Sequence, residues 1–380
     1  MNYVMDEIAP ILPFSGHKNS EVSMKSNPTA VYLSENFGLG NERVSMKPIG
    51  SGHINSTMLL SVPSKSLVVQ KLNTDVFPEP DMLVKNARLI ESHLTQKHQV
   101  GEYNLDIIRH VATVGDDYLV ECEQGLWRAL EFIGGSYSED VVANTSQAET
   151  AANAFGQFAV ALEDFDAKQL HHVIPDFHNL AMRAEKLTDV IKADPENRLA
   201  SCQAEVDFCL SQFGLIDELK ALKGVVPIRP CHNDTKINNM LFCNKSHGAK
   251  AVIDLDTCMP GYWLYDFGDM VRTFCSPEQE DSTNLANVRV REDIFEAVVK
   301  GYVEPLKDLI TEQEKQSFWL GTKVMTFMIG LRFLTDYIDG DHYFSIKHAN
   351  HNLERAQNQF ALYRDILAKK STLKAMLSDV

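Results

Sequence analysis

Residues 232–239 read His232-Asn233-Asp234-Thr235-Lys236-Ile237-Asn238-Asn239, and Val252-Ile253-Asp254-Leu255-Asp256 follows after a short gap. These are the residue types that moving a γ-phosphoryl group requires: a carboxylate to orient a hydroxyl, a lysine, and an Asn and an Asp to hold a divalent cation. In phosphoryl-transfer loops the base Asp precedes the metal-binding Asn by five positions, with a His two residues before the Asp. Asp234, Asn239 and His232 keep that spacing, and Lys236 falls where it reaches a γ-phosphate. Met240-Leu241-Phe242, a polar stretch and the apolar Ala251-Val252-Ile253 predict a hairpin that returns Asp254 beside Asn239. A His-x-Asp-x4-Asn match alone is weak; the second Asp behind an apolar strand makes it specific. Asp266-Phe267-Gly268 resembles a metal-binding triplet but lies too far past Asp234, so Asp254 is the expected ligand. Asp266 is expected to order the catalytic loop from a following helix.

Composition narrows the setting. The formal net charge of −16 argues against a nucleic-acid or anionic-membrane surface, which is bound through clustered Lys and Arg. It suits a small-molecule substrate. Seven cysteines are scattered without a C-x-x-C pair, so neither a disulfide framework nor a zinc site is expected, and a cytoplasmic setting fits. The start of the chain has no secretory-signal pattern. The most apolar stretch, 318–334, is broken by Lys323 and Arg332, which predicts a buried helix rather than a membrane span. The oligomeric expectation is a monomer or a homodimer.

The two halves follow different patterns. Short strands are expected at 45–49, 57–62, 67–72, 111–114, 118–121 and 127–132, interrupted by one helix over 80–95, where Leu83, Ala87, Ile90 and Leu94 recur at helical spacing. Beyond Ser146 the pattern predicts helices at 147–165, 180–192, 199–212, 291–302, 312–338 and 352–367. The expected architecture is α+β and two-lobed, like a protein kinase, with a small β-rich N-lobe and a larger, mainly helical C-lobe. The expected units are an N-terminal extension (1–26), an N-lobe (27–133) carrying the phosphate grip, and a C-lobe (134–380).

A nucleotide is expected between the lobes. Gly50, Ser51 and Gly52 sit between two expected strands, where small residues let amides approach phosphate oxygens. Lys71 on the third strand is the expected contact to the α- and β-phosphates, with Glu91 on the next helix as its partner. Backbone groups near Phe132 and Ile133, where the chain crosses between lobes, are expected to meet adenine.

These motifs resemble the aminoglycoside phosphotransferase and choline kinase superfamily, and more closely its N-acetylhexosamine 1-kinase branch. The resemblance runs in motif order through Pro-Ile-Gly-Ser-Gly-His-Ile-Asn at 48–55, Phe177-His178, the catalytic loop, Ile-Asp-Leu-Asp-Thr at 253–257, Tyr-Asp-Phe-Gly-Asp at 265–269, and Leu-Arg-Phe-Leu-Thr-Asp-Tyr-Ile-Asp-Gly-Asp-His-Tyr-Phe at 331–344. The last is more particular to the branch. Lys71 stands where that branch is expected to carry arginine, and 1–26 matches no part of it.

The resemblance implies ATP- and Mg2+-dependent phosphorylation of the anomeric hydroxyl of an N-acetylhexosamine. Asp234 and Lys236 would be catalytic, Asn239 and Asp254 would hold Mg2+, and Arg332, Asp336, Asp341 and Tyr343 would face the sugar. Arg332 and Asp336 share a helix face, so a structural ion pair is an equal reading for them. His178 is read either as a packed helix cap or as a ligand contact. The alternatives are a kinase of the same fold acting on an amino alcohol or an aminoglycoside, and a silent nucleotide-binding homologue.

Overall fold

The computed structural model describes residues 27–50 and 54–379; the expected extension over 1–26 lies outside them. The N-lobe is an antiparallel sheet of β1 (Ser45–Pro48), β2 (Ser56–Val62), β3 (Lys65–Lys71), β4 (His110–Val111), β5 (Val120–Cys122) and β6 (Gly125–Glu131). Its order is β1-β2-β3-β6-β4, and β5 pairs with β6. The expected strands are all present. The fourth shrinks to two residues because the Thr113 hydroxyl accepts from the Gly115 and Asp117 amides and turns the chain.

Alternation along the strands divides the sheet into two faces. Leu67 and Val69 of β3, with Trp127 and Ala129 of β6, pack on one face against Ala30, Leu33 and Phe37. Ala30 and Leu33 belong to α1 (Pro28–Asn36), a short polar helix whose weak periodicity left it unread; Asn27 caps it by accepting from the Thr29 amide at 3.1 Å. Val68, Gln70, Arg128 and Leu130 point the other way, into the cleft between the lobes. The expected helix over 80–95 is α2 (Pro80–Gln99), whose Ala87 also lines that cleft.

After β6 the chain reaches β7 (Ser136–Tyr137), which pairs with β9 (Met240–Cys243). The expected hairpin is β9 with β10 (Ala249–Val252), and it brings the Ile253 amide to the Asn239 carbonyl at 2.9 Å. A second pair, β8 (Arg229–Cys231) and β11 (Met259–Gly261), flanks the loop between them. The helices are α3 (Thr145–Ala161), α4 (Leu180–Ala193), α5 (Gln203–Ser211), α6 (Gly214–Lys220), α7 (Trp263–Phe274), α8 (Glu292–Leu306), α9 (Glu312–Asp339), α10 (His351–Ala368) and α11 (Lys370–Ser378). The expected helix over 199–212 is a short 3-10 turn followed by α5.

The crossing of α7 and α9 sets the frame for the loop above it. A Cβ on Gly268 would lie 2.2 Å from the Gly321 carbonyl oxygen, and one on Gly321 would lie 2.1 Å from that of Leu264. The glycine of Asp-Phe-Gly is therefore a helix-packing residue. No helix among the described residues is long and apolar enough to cross a membrane; within α9, buried Lys323 pairs with Glu218 at 2.7 Å.

Candidate active site

The loop from β8 to β9 is held almost entirely by side chains bonding to backbone. Asn233 takes the left-handed conformation (φ 64°), and its Nδ2 donates to the carbonyls of Cys231, Thr257 and Met259. Asp266 of α7 accepts from the amides of Asn233 at 2.6 Å and His232 at 3.0 Å, which is the ordering role expected for it. His232 donates from Nε2 to the Ile253 carbonyl at 2.9 Å and accepts the Asp234 amide on Nδ1, so that ring is a brace between the loop and the Asp254 segment. Burial pushes it below the ordinary histidine range and keeps it neutral. Burial also raises Asp266 to about 7, against the two amide bonds that favour its charged form.

That frame brings together the residues singled out in the loop. Lys236 Nζ stands 3.0 Å from Asp234 Oδ1, and Asn239 Nδ2 donates to Asp234 Oδ2 at 2.9 Å and to the Asp234 carbonyl at 2.8 Å. Burial raises the Asp234 carboxyl, but Lys236 and His232 outweigh it and the net direction is down. Asp234 is thus an ionised acceptor at neutral pH, better suited to orienting a hydroxyl than to strong basicity. With its amide nitrogen committed to Asp234, Asn239 presents Oδ1 as its remaining donor atom for a cation. Asp254 enters with left-handed backbone (φ 61°). Burial, then the charges of Asp256 and Asp234, push its carboxyl up to about 7. Asp256 is committed elsewhere: Arg128 Nη2 lies 2.6 Å from its Oδ1, and Asn55 donates to its Oδ2 at 2.8 Å.

Asn239 and Asp254 fit a Mg2+ ion on the chemistry of the set. Among the described residues no three His, Cys, Asp or Glu side chains form a metal cage. Mg2+ that keeps its waters and takes phosphate oxygens needs only one or two carboxylates, and Asp254 sits in a surplus of negative charge that a divalent cation offsets.

The cleft between sheet and loop encloses about 390 Å³, lined by Ile49, Gly50, Val68, Gln70, Arg128, Phe132, Ile133, Asn239 and Asp254 among others. Gly50, Phe132 and Ile133 therefore border it as expected; Ser51 and Gly52 lie outside the described residues. Lys71 does not border it. One residue out of phase with Gln70, it sits exposed on the far side of β3, over Gly125, whose Cβ would lie 2.8 Å from Lys71 Cε. Glu91 is correspondingly free of Lys71: it accepts the His110 amide at 3.0 Å and lies 3.3 Å from His110 Nδ1. The buried cation of the cleft is Arg128 of β6, 2 % exposed, donating through Nε and Nη2 to Gln70; Lys47 lines the cleft from an exposed position on β1. Arg128 Nη1 is buried without a partner among the described residues, as are His110 Nε2 and Asn238 Oδ1 on the same cleft. Three orphaned polar atoms around one cavity are the mark of a polar ligand. Strand parity was the available signal for Arg128.

The acceptor-side residues divide. Arg332, Asp336 and Tyr343 line a cavity of about 270 Å³ between α4 and the end of α9. Asp336 is occupied there by the turn it caps, accepting from the amides of Tyr343 at 2.8 Å and Phe344 at 2.9 Å and from Asn352 at 2.9 Å. The Asp341 side chain is 3 % exposed and held by Arg198 at 2.5 Å and by Asn352 at 2.8 Å. Both carboxylates are turn braces rather than free sugar contacts. The expected Arg332–Asp336 ion pair is replaced by aromatic rings: the Arg332 guanidinium lies 5.3 Å from those of Phe177 and Tyr343 and 5.4 Å from that of Phe344. His178 donates from Nε2 to the Asn233 carbonyl at 3.2 Å, next to Asp234, and its Nδ1 is buried without a partner. Burial, then the charge of Arg332, push it down to about 3.

The profile of the phosphotransferase enzyme family matches residues 45–297. Among solved structures, the chain is similar to an aminoglycoside phosphotransferase from Alicyclobacillus acidocaldarius (14% identity, 95% of this chain and 99% of that one, TM-score 0.58). It is similar also to a microcompartment-associated aminopropanol kinase (14%, 90% and 97%, TM-score 0.54). A Plasmodium vivax ethanolamine kinase matches 83% of this chain and 82% of its own at 14% identity, with a TM-score of 0.51. At these identities the likeness is one of fold.

Proposed function

The chain belongs to the phosphotransferase enzyme family, and we propose that it transfers the γ-phosphoryl group of ATP, with Mg2+, to the anomeric hydroxyl of an N-acetylhexosamine. The observation that carries the phosphoryl-transfer part is the Asp234 carboxylate, fixed between Lys236 and Asn239 beside Asp254. Asp234 orients the acceptor hydroxyl and takes its proton as the hydroxyl oxygen bonds to the γ-phosphorus and the bond from that phosphorus to the β–γ bridging oxygen breaks, releasing ADP. An anomeric hydroxyl is more acidic than an ordinary alcohol, so a weakly basic carboxylate suffices. Lys236 offsets charge on the transferring group. Arg128, rather than Lys71, does so from the N-lobe through its unpartnered Nη1. Asn239 and Asp254 would hold Mg2+, which would supply neutralisation of phosphate charge.

The sugar reading is supported by the acceptor side. His178 Nδ1 is a neutral, buried acceptor one residue's reach from Asp234, suited to a hydroxyl donor. Arg332, whose charge acts on His178, and Tyr343 add a cation and a ring on the neighbouring cavity wall. Amino alcohols and aminoglycosides are cations, and a wall carrying Arg183 and Arg332 opposes them. The test is ADP release with ATP and Mg2+ across N-acetylglucosamine, N-acetylgalactosamine, glucose, galactose, choline and an aminoglycoside, with product positions read by phosphorus NMR. A sugar 1-phosphate is expected; phosphorylation of choline or the aminoglycoside alone overturns the acceptor.

A further inference from the structure

The cavity between α4 and the end of α9 is built from charges that do not balance. Its wall carries Arg183, Lys186 and Arg332 against Asp336 and Asp339. Lys186 and Asp339 neutralise each other at 2.7 Å, and both oxygens of Asp336 are taken by the Tyr343 and Phe344 amides and Asn352. Asp176, the remaining carboxylate acting on Arg183, accepts from the Asn179 side chain at 2.8 Å. Among the described residues neither guanidinium forms an ion pair with a carboxylate.

Arg332 is buried and Arg183 half-buried, so neither is fully solvated. Arg332 is 8 % exposed among the rings of Phe177, Tyr343 and Phe344. Arg183 has a buried Nε with no partner, and its Nη2 makes only a long contact to the Phe177 carbonyl at 3.4 Å. Burial, then the charge of Arg332, lower Arg183 to about 10. Burying one unpaired cation is costly, and burying two side by side is more so unless a ligand supplies the missing negative charge. Paired guanidiniums with free N–H groups match the oxygens of a carboxylate, sulfate or phosphate.

Two consecutive residues link the cavity wall to the reacting centre. Phe177, whose carbonyl meets Arg183 and whose ring meets Arg332, precedes His178, which bonds the Asn233 carbonyl beside Asp234. At about 270 Å³ it is close to the lower end of small-molecule sites, roughly 300–1,000 Å³. We propose that the acceptor carries an oxyanion on a carbon remote from the phosphorylated hydroxyl, and that Arg183 and Arg332 hold that oxyanion. This rests on the sugar reading for the acceptor and narrows it to acidic hexoses or hexosamines.

The experiment compares a hexuronate, an N-acetylhexosamine 6-sulfate and an N-acetylhexosamine 6-phosphate with neutral N-acetylhexosamine, in the ADP-release assay and by calorimetric binding to the full chain with ADP and Mg2+. At least one acidic sugar is expected to exceed the neutral one at least tenfold in kcat/KM, and which one names the oxyanion. Arg183→Gln should cut that acidic-to-neutral ratio at least tenfold, Arg183→Lys should keep much of it, and Arg332→Gln provides a second variant, with ADP affinity reporting the fold. Equal kcat/KM for acidic and neutral sugars, or a ratio unmoved in both glutamine variants, overturns the proposal. If no sugar is phosphorylated, binding of an acid to the wild type that is lost in Arg183→Gln keeps the anion site while the sugar-kinase reading falls. Absence of any acid binding overturns the site itself.

Discussion

The catalytic loop and strand β3 carry the two ends of the same chemistry, yet they hold their functional groups by opposite means. In the loop, the reacting groups are fixed by bonds to residues a few positions away, Asn239 to Asp234 and Asp234 to Lys236, while Asp266 on the helix beneath anchors the loop backbone through the His232 and Asn233 amides. On β3, what faces the phosphates depends on which side of the sheet a remote helix covers. α1 claims Leu67 and Val69, so Gln70 faces the cleft and Lys71 faces out. Local geometry survives a reading by spacing; facing does not, because a shift of one residue exchanges the two sides.

The largest expected effect lies in the loop. Asp234→Asn should lower kcat by roughly 10²–10⁴-fold with ADP affinity nearly intact, as loss of a hydroxyl-orienting carboxylate would. Activity near wild type would remove Asp234 from that role and the loop from the comparison. Next come the supports beneath it. Asp266→Ala leaves two amides unbonded at about 1–3 kcal/mol each, so urea unfolding should show a loss of several kcal/mol. Gly268→Ala forces a methyl against the Gly321 carbonyl and should cost about 1–3 kcal/mol or more. If either variant unfolds like wild type, the loop is not held from α7.

A smaller effect is expected with acid. His178, ordinarily near 6.5, is held down to about 3 by burial and then by Arg332. The unfolded chain takes up this proton below about pH 6.5 while the folded chain does not until about pH 3, so stability falls as pH falls through that window. The slope from one such group is at most ~1.4 kcal/mol per pH unit. Unfolding free energies of His178→Asn measured between pH 6 and 4 should be flatter by about that amount; an unchanged slope would mean His178 titrates normally.

Much of the site was legible for the reason just given. Asp234, Lys236, Asn239 and Asp254 lie within one loop and hairpin, so chain geometry alone brings them together. Arg128 was hidden in a strand read only as the route to the adenine contacts, although Trp127 and Ala129 alternate with Arg128 and Leu130. Asp336 lies four residues before Gly340, which is left-handed at φ 107°, and Asp341 directly follows it. Carboxylates beside such a turn commonly bond the following amides, a signal that pointed to bracing before it pointed to sugar. α1 was unread because its burial comes from only a few apolar residues in a polar helix.

The most direct test of the account is an ATP titration of Arg128→Met and Lys71→Met under saturating acceptor and Mg2+. Losing a charge-assisted bond to phosphate should lower kcat/KM for ATP by about 10–100-fold in Arg128→Met, while Lys71→Met stays within about twofold of wild type. The reverse pattern, a collapse with Lys71→Met and little change with Arg128→Met, would contradict the assignment of the N-lobe cation and the strand facing on which it rests.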